Sequence, residues 1–449
     1  MRHLLMGSSL VLTLAVAQAA RAQQAALADD FKPCSTNVLG QQYPQVNSAR
    51  QVRFRISAPQ ANSIRVLNTT LVKDDSGVFT GITAPQDPGF HYYQLTIDGL
   101  SAADPNSEVF FGSNWVHSGI EIPEAGVDFY DLKNVPHGDI RSHWYKTKTG
   151  DDRLAYVYTP PDYDKDPNKK YPVLYLQHGM GEDRRAWPNQ GRTNFILDNL
   201  IAENKAVPMI IVMEDGGIAT GMSGNGGILP KGGSSPGAGR GAAPGAMGPM
   251  FDDNALLFVA APAGPGGSPG GMGGRTGGGM GAGTGAMGGG MGGGVGGGMG
   301  GRGGGMGGSM PFVSMIINDV IPEIDAKFRT IPDRDHRAMA GLSLGGTQTY
   351  QITSANKDTF AYVGIFSAPF GFPGMNAYAS TAEEFDKQYK VFFVSMGGKE
   401  GAGSGRQPAQ QLKDAGAKHV TYFEAPGTAH EFQTWRKALH EFAPMLFKD

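Results

Sequence analysis

Cysteine is almost missing from this chain: Cys34 is the single one in 449 residues. A lone thiol closes no internal disulfide and is a poor start for a metal site, so neither a cross-linked scaffold nor a metal centre is expected. Catalytic options then fall to serine, histidine and carboxylates. An excess of positive charge is missing too. Lys and Arg number 38 against 41 Asp and Glu, a net charge of −3. Gripping nucleic acid or an anionic membrane needs a basic face, so neither is expected as a partner. Long hydrophobic runs are also lacking. The apolar run at residues 4–17, in MRHLLMGSSLVLTLAVAQAARAQQ, is shorter than the ~20 residues that cross a bilayer. With polar Arg2 and His3 before it and Ala20-Arg21-Ala22 after it, the run reads as a secretory signal over 1–22. The mature chain is then expected to be secreted or periplasmic, without membrane attachment. Cys34 has no lipid-attachment box around it and is expected in a flexible leader over 23–42.

Glycine, by contrast, is plentiful at 69 residues, much of it between about 216 and 310. This tract has no G-x-y proline period, which excludes collagen. It also lacks the short glycine loop with a lysine at a helix start that cradles phosphate. So apolar-poor a stretch does not offset its ordering entropy, and a disordered insertion is expected, with FDDNALLFVAAP (251–262) as a candidate ordered fragment. A plain linker is preferred there to a soft-metal site built from its methionines.

Outside the tract two textures alternate. Over 43–130, QVRFRIS, SIRVLNTT, GVFTGIT and HYYQLTID show the period of half-buried strands, with turn signals at DDSG and DPG. A small immunoglobulin-like sandwich follows from that spacing. Trp115, Tyr92 and Tyr93 are candidates for a sugar platform on it, but a structural or positioning role is preferred, since one of two adjacent tyrosines must face the core. Residues 131–170 are a connecting segment whose DDRLAYVYTPP reads as the first strand of a second domain. From Tyr171, apolar strands (YPVLYLQHG, VPMIIVMEDG, FAYVGIFSAP, YKVFFVSMGG) alternate with amphipathic helices. That is the signature of a parallel sheet buried on both faces, and the fold class is α/β over 171–449.

HRAMAGLSLGGTQTYQIT places Ser343 between a strand and a helix. This is the setting of a nucleophile elbow, where a sharp turn lifts a serine hydroxyl out of the sheet and Gly341, Gly345 and Gly346 relieve the crowding. A serine needs a base, and the base an orienting acid. Acid then histidine is the chain order after such an elbow. FFVSMGGKEG offers Glu400 at the next acidic strand exit, and YFEAPGTAHEF offers His430 at the following one. His336, His419 and His440 lie at the wrong sheet edge or inside a helix, and Asp414 and Glu424 are the lesser acid candidates. Backbone N–H groups of Leu344 and of Met180, in QHGMGEDRRAW, are the expected oxyanion donors. His178, Gly179 and Trp187 are substrate-pocket candidates, His178 being read first as a packing residue.

LQHGMGEDRRAWPNQGRTNFILDNLIAENKAVPMIIVMEDG, AGLSLGGTQTY and GTAHEFQTWRKALHEFAPMLF resemble carbohydrate esterase family 1, the esterase D-like group of feruloyl and acetylxylan esterases. GFHYYQLTIDG followed by DP resembles the early-set, glycogen-binding-like sandwich often joined to such enzymes. The resemblance implies an α/β-hydrolase fold, a serine mechanism without cofactor or metal, and esters on plant polysaccharide or small aromatic esters as substrates. It carries Ser343, His430, Met180 and Leu344 into the family's roles. It departs at the acid, where Glu400 stands in place of the usual Asp. A catalytically impaired carbohydrate-binding protein and an acyltransferase using the same triad are the alternatives.

Overall fold

The computed structural model describes residues 30–216, 310–368, 379–401 and 405–448. The expected signal peptide and nearly all of the glycine-rich tract, with its candidate fragment 251–262, lie outside the described residues.

Residues 30–122 form an antiparallel β domain. One sheet holds β1 (Lys32–Pro33), β2 (Gln45–Val46), β3 (Val52–Ser57), β7 (Val78–Ile82) and β6 (Val72–Lys73). A second holds β10 (Leu100–Ala102), β9 (Leu95–Ile97), β4 (Ile64–Val66) and β5 (Thr69–Thr70). A third holds β11 (Val109–Gly112), β12 (Trp115–Ile122) and β8 (Gly89–Tyr93). Alternation sets the faces: in β3, Val52, Phe54 and Ile56 turn inward to meet Ile64, Tyr93 and Ile120.

The expected leader is corrected here. From Asp30 onward it belongs to this domain, with β1 paired to β2 and Val38 N–H bonded to Asn106 O. Cys34 is only 6% exposed and sits in the domain core, its sulfur 3.0 Å from Thr36 Oγ1 and accepting from Glu121 N–H at 3.2 Å. It acts as a small buried hydrophobe, and burial pushes its thiol pKa up.

An eight-stranded sheet builds the second domain, in the order β13 (Asp139–Lys146), β14 (Asp152–Thr159), β16 (Ile210–Met213), β15 (Val173–Gln177), β17 (Arg337–Leu342), β18 (Tyr362–Phe366), β19 (Val391–Gly397), β20 (Val420–Ala425). The strands from β16 to β20 run parallel; β13 and β14 extend them antiparallel. β13 carries no clear sequence alternation because it is an edge strand, where only Tyr145 is buried. On one face Leu174, Leu176, Ile211 and Leu342 pack with the helices Thr193–Ala202 and Phe432–Phe442. The other face buries Val173, Tyr175, Val212 and Met339 against the helical segment 310–327. Every central strand is therefore buried on both sides, as their unbroken apolar runs require.

The two domains share a core. Phe90 and Phe110 of the β domain join the first of these clusters, and Phe90 meets Phe432 edge to face at 6.0 Å. Behind them, fully buried Arg436 forms a two-pronged pair with Glu121 (2.8 and 3.0 Å) and donates to Gln190 O. Burial alone would raise the Glu121 carboxyl pKa; Arg436 outweighs it and holds the pKa below its usual range. Removing one partner of such a pair leaves the other charge buried. Arg436→Met is expected to lose about 3 kcal/mol of stability in urea unfolding, and the double variant Glu121→Met/Arg436→Met to regain most of it.

Candidate active site

β15 lies between β16 and β17, so the chain leaves it to one side and later returns to the other. Sites in such sheets form at this switch, beyond the carboxyl ends of the strands. The loop after β15 carries Met180, and the turn after β17 carries Ser343. The ends of β18, β19 and β20 carry Ser367, Glu400 and His430.

Ser343 is held at φ 52° and ψ −117°, between β17 and the helix Leu344–Ala355. A side-chain-bearing residue there costs about 1–3 kcal/mol, tolerated only where the surroundings enforce it. The neighbouring glycines show how tight the turn is. A Cβ on Gly341 would lie closer than 3.0 Å to the Gly345 carbonyl, and one on Gly345 equally close to His178 O. Ser343 N–H is fixed by Phe366 O at 2.8 Å.

The three side chains expected to act together are in contact. His430 Nε2 lies 2.9 Å from Ser343 Oγ, and Nδ1 lies 2.8 Å from Glu400 Oε2. A carboxylate only accepts, so Nδ1 carries the proton and Nε2 is left to accept from the serine. Glu400 Oε1 also accepts from Gly397 N–H at 2.7 Å and from Ser367 Oγ at 2.6 Å. Ser367, itself at φ 49°, was not read from the sequence. A strand-end serine has no distinguishing pattern until the sheet order brings β18 beside β19.

Leu344 opens the helix after Ser343, where the first N–H groups have no intrahelical acceptor. Gly179 packs against the elbow: a Cβ there would sit 3.4 Å from Ser343 Cβ and 3.3 Å from Glu182 Oε2. Its N–H donates to Glu182 Oε2 at 2.8 Å, which fixes the loop that presents Met180. Glu182 was also missed. Burial pushes its carboxyl pKa up to about 8, against the lowering effect of the Gly179 N–H and with the Asp183 charge adding to the rise. His178 is buried and bonds through Nδ1 to Gly179 O at 2.7 Å, as a packing residue does; burial lowers its pKa.

Trp187 needs correction as a pocket candidate. It is 1% exposed in the core, and its Nε1 donates to Gln177 O at 2.9 Å. The rival titratable groups are engaged elsewhere: His336 with Asp333, His419 with Tyr389 O, His440 beside Glu441 and Phe129, Asp414 with Gln410, and Glu424 with Arg406.

The β domain reaches this site twice. Asn114 N–H donates to Gly181 O at 2.8 Å, beside Met180, and Asp87 pairs with Lys399 at 3.1 Å, beside Glu400.

The Esterase family profile matches residues 147–225 and 297–446. Over 433 residues, 94% of the chain, the sequence is 35% identical to an endo-1,4-beta-xylanase/feruloyl esterase of Xylanibacter ruminicola, 48% of which is covered. The chain thus spans about half the length of that relative. Among solved structures, the enterobactin esterase of Shigella flexneri matches in fold with a TM-score of 0.51 at 12% identity, covering 88% of this chain and 92% of that one. An α/β-hydrolase sheet with a β domain before it, an elbow at the end of β17 and a profile matched on both sides of the glycine-rich tract lead to one assignment: the chain belongs to the Esterase family.

Proposed function

We propose that this protein is a serine carboxylic-ester hydrolase that removes feruloyl or acetyl groups from plant polysaccharide. The observation that carries the reading is the unbroken relay from Glu400 through His430 to Ser343 at adjoining strand ends. Polymeric substrates fit the export expected from the N-terminal stretch. The feruloyl choice draws on the name of the Xylanibacter ruminicola relative.

In this reading His430 Nε2 takes the Ser343 proton as Oγ attacks the ester carbonyl. Glu400 steadies the imidazolium that forms. The developing oxyanion is met by the N–H groups of Leu344 and Met180, at the positive end of the helix that follows the elbow. The tetrahedral intermediate expels the alcohol with a proton from His430, leaving an acyl-serine. Water, deprotonated by His430, then releases the acid. Glu182 is neutral at pH 7, which keeps a negative charge away from the oxyanion.

Ser343→Ala is expected to lose about 10⁶-fold in turnover of p-nitrophenyl acetate while melting like the wild type. Ser343→Gly should be equally inactive but about 1 kcal/mol more stable, since glycine tolerates positive φ. Retained hydrolysis by either variant overturns the nucleophile. Glu400→Gln is expected to cost about 10⁴-fold in kcat. Methyl ferulate and acetylated xylan, assayed in parallel, decide between the two acyl groups.

Glu182 gives a pH prediction. Its carboxyl pKa is about 8 in the folded protein and about 4.3 in an unfolded chain. Between these values the folded state holds a proton that the unfolded state has released. Stability from this group is therefore complete at low pH and declines as pH rises towards 8. Glu182→Gln should show a melting advantage over wild type that grows from pH 5 to pH 8 and then levels off. Ionisation above pH 8 also sets a charge against the oxyanion. The alkaline fall in kcat/KM should therefore move to higher pH in the same variant; a profile and a melting difference that do not change with pH would remove Glu182 from this role.

A further inference from the structure

The sheet β11–β12–β8 meets the catalytic domain with one face, and its register tells which side chains share that face. Cross-strand partners and residues two apart lie on the same side. Phe110 is opposite His117, Gly112 opposite Trp115, Tyr92 opposite Gly119, and Phe90 opposite Glu121. Most of this set has partners in the catalytic domain or within the sheet. Glu121 pairs with Arg436, Phe90 meets Phe432, and the Tyr92 hydroxyl accepts from Gln190 Nε2 at 2.7 Å while its ring lies against His117. Trp115 belongs to the same face but is 62% exposed. The sheet ends there in the tight turn Ser113-Asn114, both residues at positive φ, and this turn is bonded to Gly181. Gly181 is at φ +75°, and a Cβ on it would lie 2.9 Å from Ser113 Cα, so the turn and the loop carrying Met180 are pressed together. Met180 is itself 58% exposed.

An indole that shares the face turned to the catalytic domain, stays 62% exposed, and follows the turn bonded to the loop of Met180 forms a platform at the mouth of the site. Resting on the esterase reading above, we propose that Trp115 stacks on the sugar ring that carries the ester. The acyl carbon must descend to half-buried Ser343, whereas the alcohol half of a polymeric substrate stays outside. The exposed ring is placed for that outer half. The β domain would thereby supply a specificity-determining residue to a site whose reacting groups all lie on the other domain.

The test compares feruloyl-arabinose with methyl ferulate, which has the same acyl group and no sugar. An aromatic stacking contact is worth about 3- to 10-fold. Trp115→Ala is expected to lower the ratio of kcat/KM for feruloyl-arabinose over methyl ferulate by that factor, through KM, and Trp115→Phe to restore most of it. An unchanged ratio overturns the proposal, including the case where both substrates weaken together because the ring holds the acyl group. Calorimetric titration of feruloyl-arabinose into Ser343→Ala, with and without Trp115→Ala, reads the contact without turnover. Weaker binding in the double variant supports the platform, and equal binding overturns it. A wild type that hydrolyses neither ester would defeat the esterase reading separately, with the titration still deciding Trp115.

Discussion

The backbone turn at Ser343 is the constraint on which the rest of the site depends. A positive φ at a serine is costly, and it persists because the flanks leave no alternative. β17 is held in register between β15 and β18, so the strand cannot slide to relax it. The helix after it starts at Leu344, so the reversal falls on one residue. Gly341 and Gly345 are the concession: each lies where any side chain would strike backbone. In return the hydroxyl stands clear of the sheet with a helix N-terminus behind it. The glycines of GLSLGG therefore do structural work.

Glu400 shows how a long acid side chain is held in place at a strand end. Its N–H turns back to Gly397 O at 3.0 Å, so the residue sits in a tight turn at the end of β19. The extra methylene has rotamer freedom to lose, and the turn and the acceptor bonds take it up. Oε1 is fixed by Gly397 N–H and Ser367, which leaves Oε2 facing His430. Two donors on one oxygen fix the orientation of the carboxylate. The geometry thus depends on β18 as well as on β19 and β20.

Much of this was legible because it is periodic or local. Alternation in QVRFRIS marks β3, continuous apolar runs mark β15 to β19, and strand–GLSLGG–helix marks the elbow. The order of acid and histidine after it gives Glu400 and His430. Features that depend on distant neighbours were not legible. Cys34 sits in a short segment without alternation, and its burial comes from Glu121 and Thr36 folding over it. β13 is an edge strand with only Tyr145 buried, so its pattern shows no clear alternation. Trp187 follows the loop of Met180 closely enough to suggest a pocket, yet the short helix Ala186–Asn189 turns it into the core. Ser367 and Glu182 are ordinary residues in sequence; Ser367 gains its partner only when β18 lies beside β19, and Glu182 only from the turn its own loop makes back to Gly179.

The β domain is better understood as a part of the catalytic unit than as an appended module. A separable module meets its neighbour through a modest, polar interface. Here Phe90 and Phe110 belong to the hydrolase core, and Arg436, on the helix that follows His430, has its charge neutralised by Glu121 from the other domain. Without that carboxylate a buried cation would sit six residues beyond the candidate base, and the helix would have to move to solvate it. The same domain holds the loop after β15 through Asn114 and the turn after β19 through Asp87. Those two loops carry Met180 and Glu400, on either side of the elbow. The spacing between Met180, Ser343 and Glu400 is thus braced from outside the sheet that supplies them.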